Sequence, residues 1–302
     1  MNKLHKIHIG TGTWAWGDRL IWSYGNSHSS EDLREAFQAS LDLGINFFDT
    51  SEVYGRGVSE SLLGTFIKNY SGSEPLIASK FMPFPWRLSK KRFIRALHSS
   101  LDRLQQEKIF LYQIHYPLPP LSITTLMDFL AEVYQEGLIE NVGVSNFNAE
   151  QVLLAHNRLK VHGIDLVSNQ VEYNLLNRSI ETNGVLSLCN DLGIRVIAYS
   201  PLGMGFLSGK YSEKNLPSGY RARKYSNNQI HRLASIMKTM KAIANAHDGK
   251  NIAQVALNYC IEKGTLPIPG AKKKEQVILN AGTLDWSLTS NEILLLDVAS
   301  ST

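Results

Sequence analysis

The chain alternates short apolar runs of strand character with longer amphipathic helical stretches, and it completes that cycle eight times over 302 residues. No other feature limits the fold so tightly, because strands separated by helical crossovers run parallel. Strand-like runs fall at residues 7–12, 45–48, 76–79, 109–114, 138–144, 166–169, 194–199 and 266–268. Helical stretches occupy 30–43, 58–70, 89–104, 121–135, 148–159, 180–192, 229–247 and 252–262, with two more expected from about 273 and 289. Leu33, Ala36, Phe37 and Leu41 share one stripe of the first helix, and Phe93, Leu97, Leu101 and Leu104 share one in the third. Ser29 with Asp32, and Thr289 with Glu292, have capping-box spacing, while Gly44, Gly137 and Gly193 stand where helices should stop. An open doubly wound sheet is compatible with this order, but eight evenly spaced units favour closure into an α/β, (β/α)8 barrel of the TIM type. With no linker or low-complexity stretch, residues 1–302 read as one domain. Two long loops, 17–29 and 202–228, are expected over the C-terminal rim, where loops of that length are commonly functional.

Composition narrows the class. Thirty-one basic against 27 acidic side chains give a net charge of +4, too even to imply a nucleic-acid partner. No apolar run approaches the ~18 residues of a membrane span, and the first residues lack a signal-peptide core. Cys189 and Cys260 are the only cysteines, too few for a disulfide scaffold or zinc site. They read as buried, inert thiols of a reducing cytosol. A cytoplasmic protein without a metal, acting on small molecules, is expected.

Parallel barrel strands end on one rim, so residues distant in sequence can meet there. Asp49, Lys80 and His115 each stand at or just past the end of a strand-like run, and Tyr54 follows in the loop after Asp49. Taken singly, each has a plain structural explanation: a turn cap, a solvated charge, a turn aromatic, a core imidazole. Their joint occurrence in successive strand–loop units is what points to chemistry. Reducing a carbonyl needs a proton donor for the developing alkoxide. A tyrosine can serve if an ammonium lowers its pKa and a buried carboxylate fixes that ammonium, while a histidine orients the substrate oxygen. Gly10-Thr-Gly12-Thr-Trp-Ala15 formally matches a dinucleotide fingerprint, but no helical periodicity begins before Ser30, so a Rossmann-type phosphate site is rejected.

The segments Phe-Phe-Asp49-Thr-Ser-Glu-Val-Tyr54-Gly, Ile-Ala-Ser-Lys80 and Tyr-Gln-Ile-His115-Tyr-Pro resemble, in order, the catalytic signatures of the aldo-keto reductase superfamily. Gly143-Val-Ser145-Asn146-Phe, Asn169-Gln170-Val-Glu-Tyr173-Asn174, Tyr199-Ser200-Pro201-Leu202-Gly203 and Ile268-Pro269-Gly270-Ala271 extend the likeness over nearly the whole chain. The resemblance implies a (β/α)8 barrel that binds NADP(H) in extended form and reduces an aldehyde or ketone. It implies Tyr54 as general acid, Asp49 and Lys80 as its tuning pair and His115 as substrate orienter. Ser145, Asn146 and Gln170 would hold the nicotinamide carboxamide, with Tyr199 stacked on the ring. Ser200, Leu202 and Gly205 would meet the pyrophosphate, and Gly270, Ala271, Lys272, Gln276 and Asn280 the adenosine and its 2′-phosphate.

Two positions depart from the family pattern. Gln276 stands where many members have an arginine, leaving Lys272, Lys273 and Lys274 to supply positive charge, and NADPH is still expected over NADH. Tyr116 replaces a frequent tryptophan. Trp14, Trp22 and Trp86, with Trp16, Tyr24 and Phe84, lie in loops expected to overhang the rim and form an aromatic substrate pocket. The Gly-Thr-Trp-Ala-Trp-Gly and Pro-Trp-Arg-Leu segments are similar to a plant and cyanobacterial branch that includes pyridoxal reductases, which suggests pyridoxal or another flat aromatic aldehyde. The alternative is a nicotinamide-binding sensor or accessory subunit with little turnover.

Overall fold

The computed structural model describes residues 3–211, 215, 223 and 227–301. Eight strands form one parallel sheet in sequence order: β1 (Thr11–Gly12), β2 (Phe47–Asp49), β3 (Leu76–Phe81), β4 (Leu111–Ile114), β5 (Val142–Ser145), β6 (Leu166–Glu172), β7 (Arg195–Tyr199) and β8 (Leu266–Ile268). Between and after them run α1 (Ser30–Asp42), α2 (Val58–Lys68), α3 (Lys90–Leu104), α4 (Ile123–Gln135), α5 (Ala149–Val161), α6 (Val185–Asp191), α7 (Asn227–Ala246), α8 (Ile252–Glu262), α9 (Lys274–Ala281) and α10 (Ser290–Ser300). The sheet closes on itself where Gly12 pairs with Gly270. The molecule is therefore the expected (β/α)8 barrel.

The closing seam is unusual, and prolines explain it. Gly10 and Gly12 donate their N–H groups to the carbonyls of Pro267 and Pro269, both at 3.0 Å. A residue's N–H and C=O point the same way along a strand, and proline has no N–H to return. Pro269 therefore cannot return a bond to the Gly10 carbonyl, and the expected strand at 7–12 is reduced to a two-residue ladder. Both glycines are required by crowding. A Cβ on Gly10 would lie 2.5 Å from the Phe47 ring, and one on Gly12 2.8 Å from the Ile268 carbonyl oxygen. No helix follows these glycines before α1, so the rejected dinucleotide fingerprint is a packing feature of the seam.

Helix ends follow the sequence signals. Ser29, Asn148, Asn251 and Thr289 complete reciprocal capping boxes, and Gly44, Gly137 and Gly193 adopt positive φ after their helices. Ser89 sits at its N-cap position without a side-chain capping bond. The helix expected at 180–192 is split: a 3-10 turn (Ser179–Glu181) precedes α6, and Gly184, at φ +83°, separates them. A 3-10 turn (Gly203–Ser208) opens the second long loop, and residues 212–214, 216–222 and 224–226 of that loop lie outside the described residues.

Residues two apart in a strand share a face. Phe47, Ala78, Leu111, Ile197 and Leu266 join Leu4 and Ile7 in one buried cluster. Two residues further along β2, β3 and β7, on that same face, come Asp49, Lys80 and Tyr199. The lower barrel is thus packed apolar, and the polar groups start where it ends. A larger cluster that includes Leu33, Phe37, Phe93, Leu97, Leu130 and Val144 seals the helices onto the outside of the sheet.

Candidate active site

The last residue of β2, Asp49, and the penultimate residue of β3, Lys80, make an ion pair at 2.6 Å with almost no side-chain exposure. The Lys80 ammonium has three hydrogens and three partners: Asp49 Oδ1 at 2.6 Å, the Thr50 carbonyl at 2.8 Å and the Tyr54 hydroxyl at 3.3 Å. Tyr54 reaches the lysine because a 3-10 turn (Tyr54–Gly57) swings back over the rim. In that turn Gly55 has φ +56°, and a Cβ there would lie 2.9 Å from the Gly17 backbone. His115, one residue beyond β4, stands edge-on to the Tyr54 ring with centroids 5.9 Å apart. All four sequence-predicted residues converge.

Electrostatics follow from burial. Removal from water, with the Asp49 carboxylate second, holds the Tyr54 phenol well above its usual range. The expected depression by Lys80 is therefore not found. The ammonium sits closer to Asp49 than to the phenol and is itself pushed below its ordinary value by burial, which Asp49 opposes. Tyr54 is thus held protonated, as a proton donor must be. Burial, then the Lys80 charge, lowers the His115 imidazole to about 3, so it is neutral.

A second network lies beside the first. Gln170 Nε2 donates to Asp49 Oδ2 at 2.7 Å, and Ser145 Oγ donates to the Gln170 carbonyl at 2.9 Å. Asn146 Nδ2 donates to the His115 carbonyl and to Ser145 Oγ, both at 3.0 Å. The Tyr199 hydroxyl donates to Asn146 Oδ1 at 3.0 Å. Asn146 holds φ at +62° to make these contacts.

Both networks border one cavity of about 570 Å³. Asp49, Tyr54 and His115 line it, as do Ser145, Asn146, Gln170 and Tyr199. It continues past Ser200, Leu202 and Gly205 to Gly270, Lys272 and Gln276. Gln276 Oε1 accepts the Lys272 backbone N–H at 2.7 Å, which ties it to its own loop. A partly polar cleft bordered by two lysines, Lys210 and Lys272, suits an anionic dinucleotide.

Four side chains expected at the site lie away from the cavity. Ala271 turns its side chain into a cluster with Ile9, Ala36 and Val277, away from the cavity. Asn280 is buried on α9 and does not border the cavity. Trp86 is 62% exposed and stacked on Phe84 at 4.7 Å, outside the cavity. Trp16 is fully buried against Phe48 and Phe66, and its indole N–H donates to the Ala271 carbonyl at 2.8 Å across the seam. Trp14 and Trp22 do line the cavity, packed edge to face at 5.7 Å. Sequence reasoning passed over Val53, Met82, Met204, Ser208, Lys210 and Tyr211, which also line it. Their only signal is position shortly after a strand end.

A buried ion pair and its hydrogen-bonded partners gathered where eight parallel strands end characterise an enzymatic (β/α)8 barrel, and fold and site together assign the molecule to that class. The aldo/keto reductase family model matches residues 8–300, and the chain belongs to that family of oxidoreductases. It is 42% identical to the chloroplastic pyridoxal reductase of Arabidopsis thaliana, over 99% of this chain and 84% of that protein. Among solved structures it superposes on a glycerol dehydrogenase from Gluconobacter oxydans with TM-score 0.84, at 26% identity over 97% of this chain and 90% of that one. An aldo/keto reductase from Klebsiella pneumoniae in complex with NADP and acetate gives TM-score 0.75 at 29% identity, over 96% and 90%. Among the described residues no helix is long and apolar enough to cross a membrane.

Proposed function

We propose that this protein reduces an aldehyde or ketone to an alcohol with NADPH, Tyr54 supplying the proton. The observation that carries the reading is Lys80, whose buried ammonium contacts at once the Asp49 carboxylate and the Tyr54 hydroxyl, two residues that line the cavity. NADPH, when bound, supplies the hydride. The chain's own groups do the rest. Tyr54 gives its proton to the carbonyl oxygen as negative charge develops there, and Lys80 stabilises the phenolate left behind. Asp49 keeps that ammonium charged and in place, and neutral His115 positions the substrate oxygen. Ser145, Asn146 and Gln170 form the polar wall suited to a carboxamide. Lys272, with Lys210, is the source of charge for the phosphate end, which favours NADPH over NADH.

Trp14, Trp22, Val53, Met82 and Tyr116 make the other wall largely apolar and aromatic. That lining, together with the similarity to a pyridoxal reductase, favours pyridoxal or another flat aromatic aldehyde. Tyr54→Phe should bind NADPH as the parent does while carbonyl-dependent NADPH oxidation falls by about 10²–10⁴-fold. Retained turnover would remove Tyr54 from the chemistry. An aldehyde panel that includes pyridoxal tests the substrate, and equal affinity for NADPH and NADH would overturn the cofactor preference.

A further inference from the structure

Ser51 lies between Asp49 and Tyr54 in sequence, is fully buried, and has no part in the proton-donor relay. Its hydroxyl oxygen stands 3.2 Å from His115 Nδ1. The same oxygen accepts the backbone N–H of Val53 at 3.4 Å. Among the described residues these are the only groups bonded to it, so the hydroxyl hydrogen has a single acceptor in reach, the imidazole Nδ1. Were Nδ1 protonated instead, it would donate to the Ser51 oxygen, and the buried hydroxyl hydrogen would be left without an acceptor among the described residues. The other ring nitrogen, Nε2, has no hydrogen-bond partner among the described residues, and His115 borders the cavity. The ring is also fixed from both sides, edge-on to Tyr54 at 5.9 Å and stacked on Tyr116 at 5.3 Å.

We infer that Ser51 is a positioning residue that fixes His115 as the Nε2–H tautomer, so that the imidazole offers a hydrogen-bond donor, and never an acceptor, to the substrate oxygen. The inference rests on the reductase reading for its purpose but not for its geometry. A donor at Nε2 complements a carbonyl oxygen gaining negative charge, whereas the opposite tautomer would present a lone pair to it. Neutrality of the ring supports this, since a histidine lowered to about 3 must choose one nitrogen for its proton.

The test is long-range ¹H–¹⁵N correlation NMR on ¹⁵N-histidine-labelled protein, with His115→Gln identifying the His115 signals among the nine histidines. In the parent, Nδ1 should carry the shift of an unprotonated nitrogen and Nε2 that of a protonated one. Ser51→Ala should shift His115 toward the Nδ1–H form and lower kcat on the order of tenfold, with NADPH affinity unchanged. Ser51→Thr, which keeps the hydroxyl, should restore both readings. A proton on Nδ1 in the parent, or a Ser51→Ala spectrum identical to the parent's, overturns the inference. Failure of the reductase reading would look different: the tautomer would stand as described while the parent showed no carbonyl-dependent NADPH oxidation.

Discussion

Replacing Lys80 by methionine removes one half of a fully buried ion pair and keeps most of the side-chain volume. Asp49 then holds a carboxylate away from water with the Gln170 amide, at 2.7 Å, as its one remaining side-chain partner among the described residues, and the Thr50 carbonyl loses a donor. Breaking a buried pair from one side costs about 3–5 kcal/mol. At roughly 2 °C per kcal/mol for a domain of this size, Tm should fall by about 6–10 °C. The deficit should depend on pH in a defined sense. A carboxylate left dry and without its cation is relieved by a proton, so the deficit of the variant should grow as pH rises and ease on acidification. Urea unfolding of the parent and Lys80→Met across about pH 5 to 8 measures this, and the double variant Lys80→Met/Asp49→Leu should regain most of the loss. A single-variant cost below about 1 kcal/mol, or a deficit independent of pH, would refute the claim that these charges are dry and mutually dependent.

Two further outcomes follow from packing and titration elsewhere. Gly64 lies inside α2, where alanine normally gains about 1 kcal/mol; here a Cβ would stand 2.4 Å from the Arg103 carbonyl oxygen of α3. Gly64→Ala should instead destabilise by about 1–3 kcal/mol in chemical denaturation, and a stabilised variant would contradict that close helix approach. Because folding lowers His115 from 6.5 to about 3, the unfolded chain takes up a proton there that the fold refuses. This contribution to stability is complete above pH 6.5 and is lost as pH falls through about 3. His115→Gln should show a shallower acid-side slope than the parent in denaturation measured over that range, and parallel slopes would argue against a buried neutral imidazole.

The sequence carried those features whose cause is local or periodic. Capping residues, stop glycines and the eight-fold alternation announce themselves within a few positions, so helix ends and strand order were readable. The four residues at the rim were readable because each follows a strand, and the barrel brings strand ends together. Aromatic residues were not readable in this way. Trp14, Trp16 and Trp22 occupy one loop, yet Trp16 is driven inward by an indole N–H that finds a carbonyl 255 positions away, while its neighbours border the cavity. Nor could Trp86 be placed, since an exposed stack on Phe84 and a pocket wall have the same local sequence. Ser51 was passed over for the same reason: its partner belongs to another strand, and a serine beside a catalytic-looking aspartate has no periodicity to betray it.

The seam between the first and last strands has a consequence for how the chain is made. Its reinforcing contact, Trp16 to Ala271, spans 255 residues, and at ribosomal speeds of about 5–20 residues per second the N-terminal strand waits roughly 10–50 s for its second neighbour to be synthesised. A long, branched, hydrophobic strand left open for that interval would recruit other nascent chains. This one has only two ladder residues, with glycine at position 12 and again at 10 just before them, which makes it a poor template for strangers. The same crowding that forbids a larger side chain in the finished barrel thus also keeps its unfinished edge quiet.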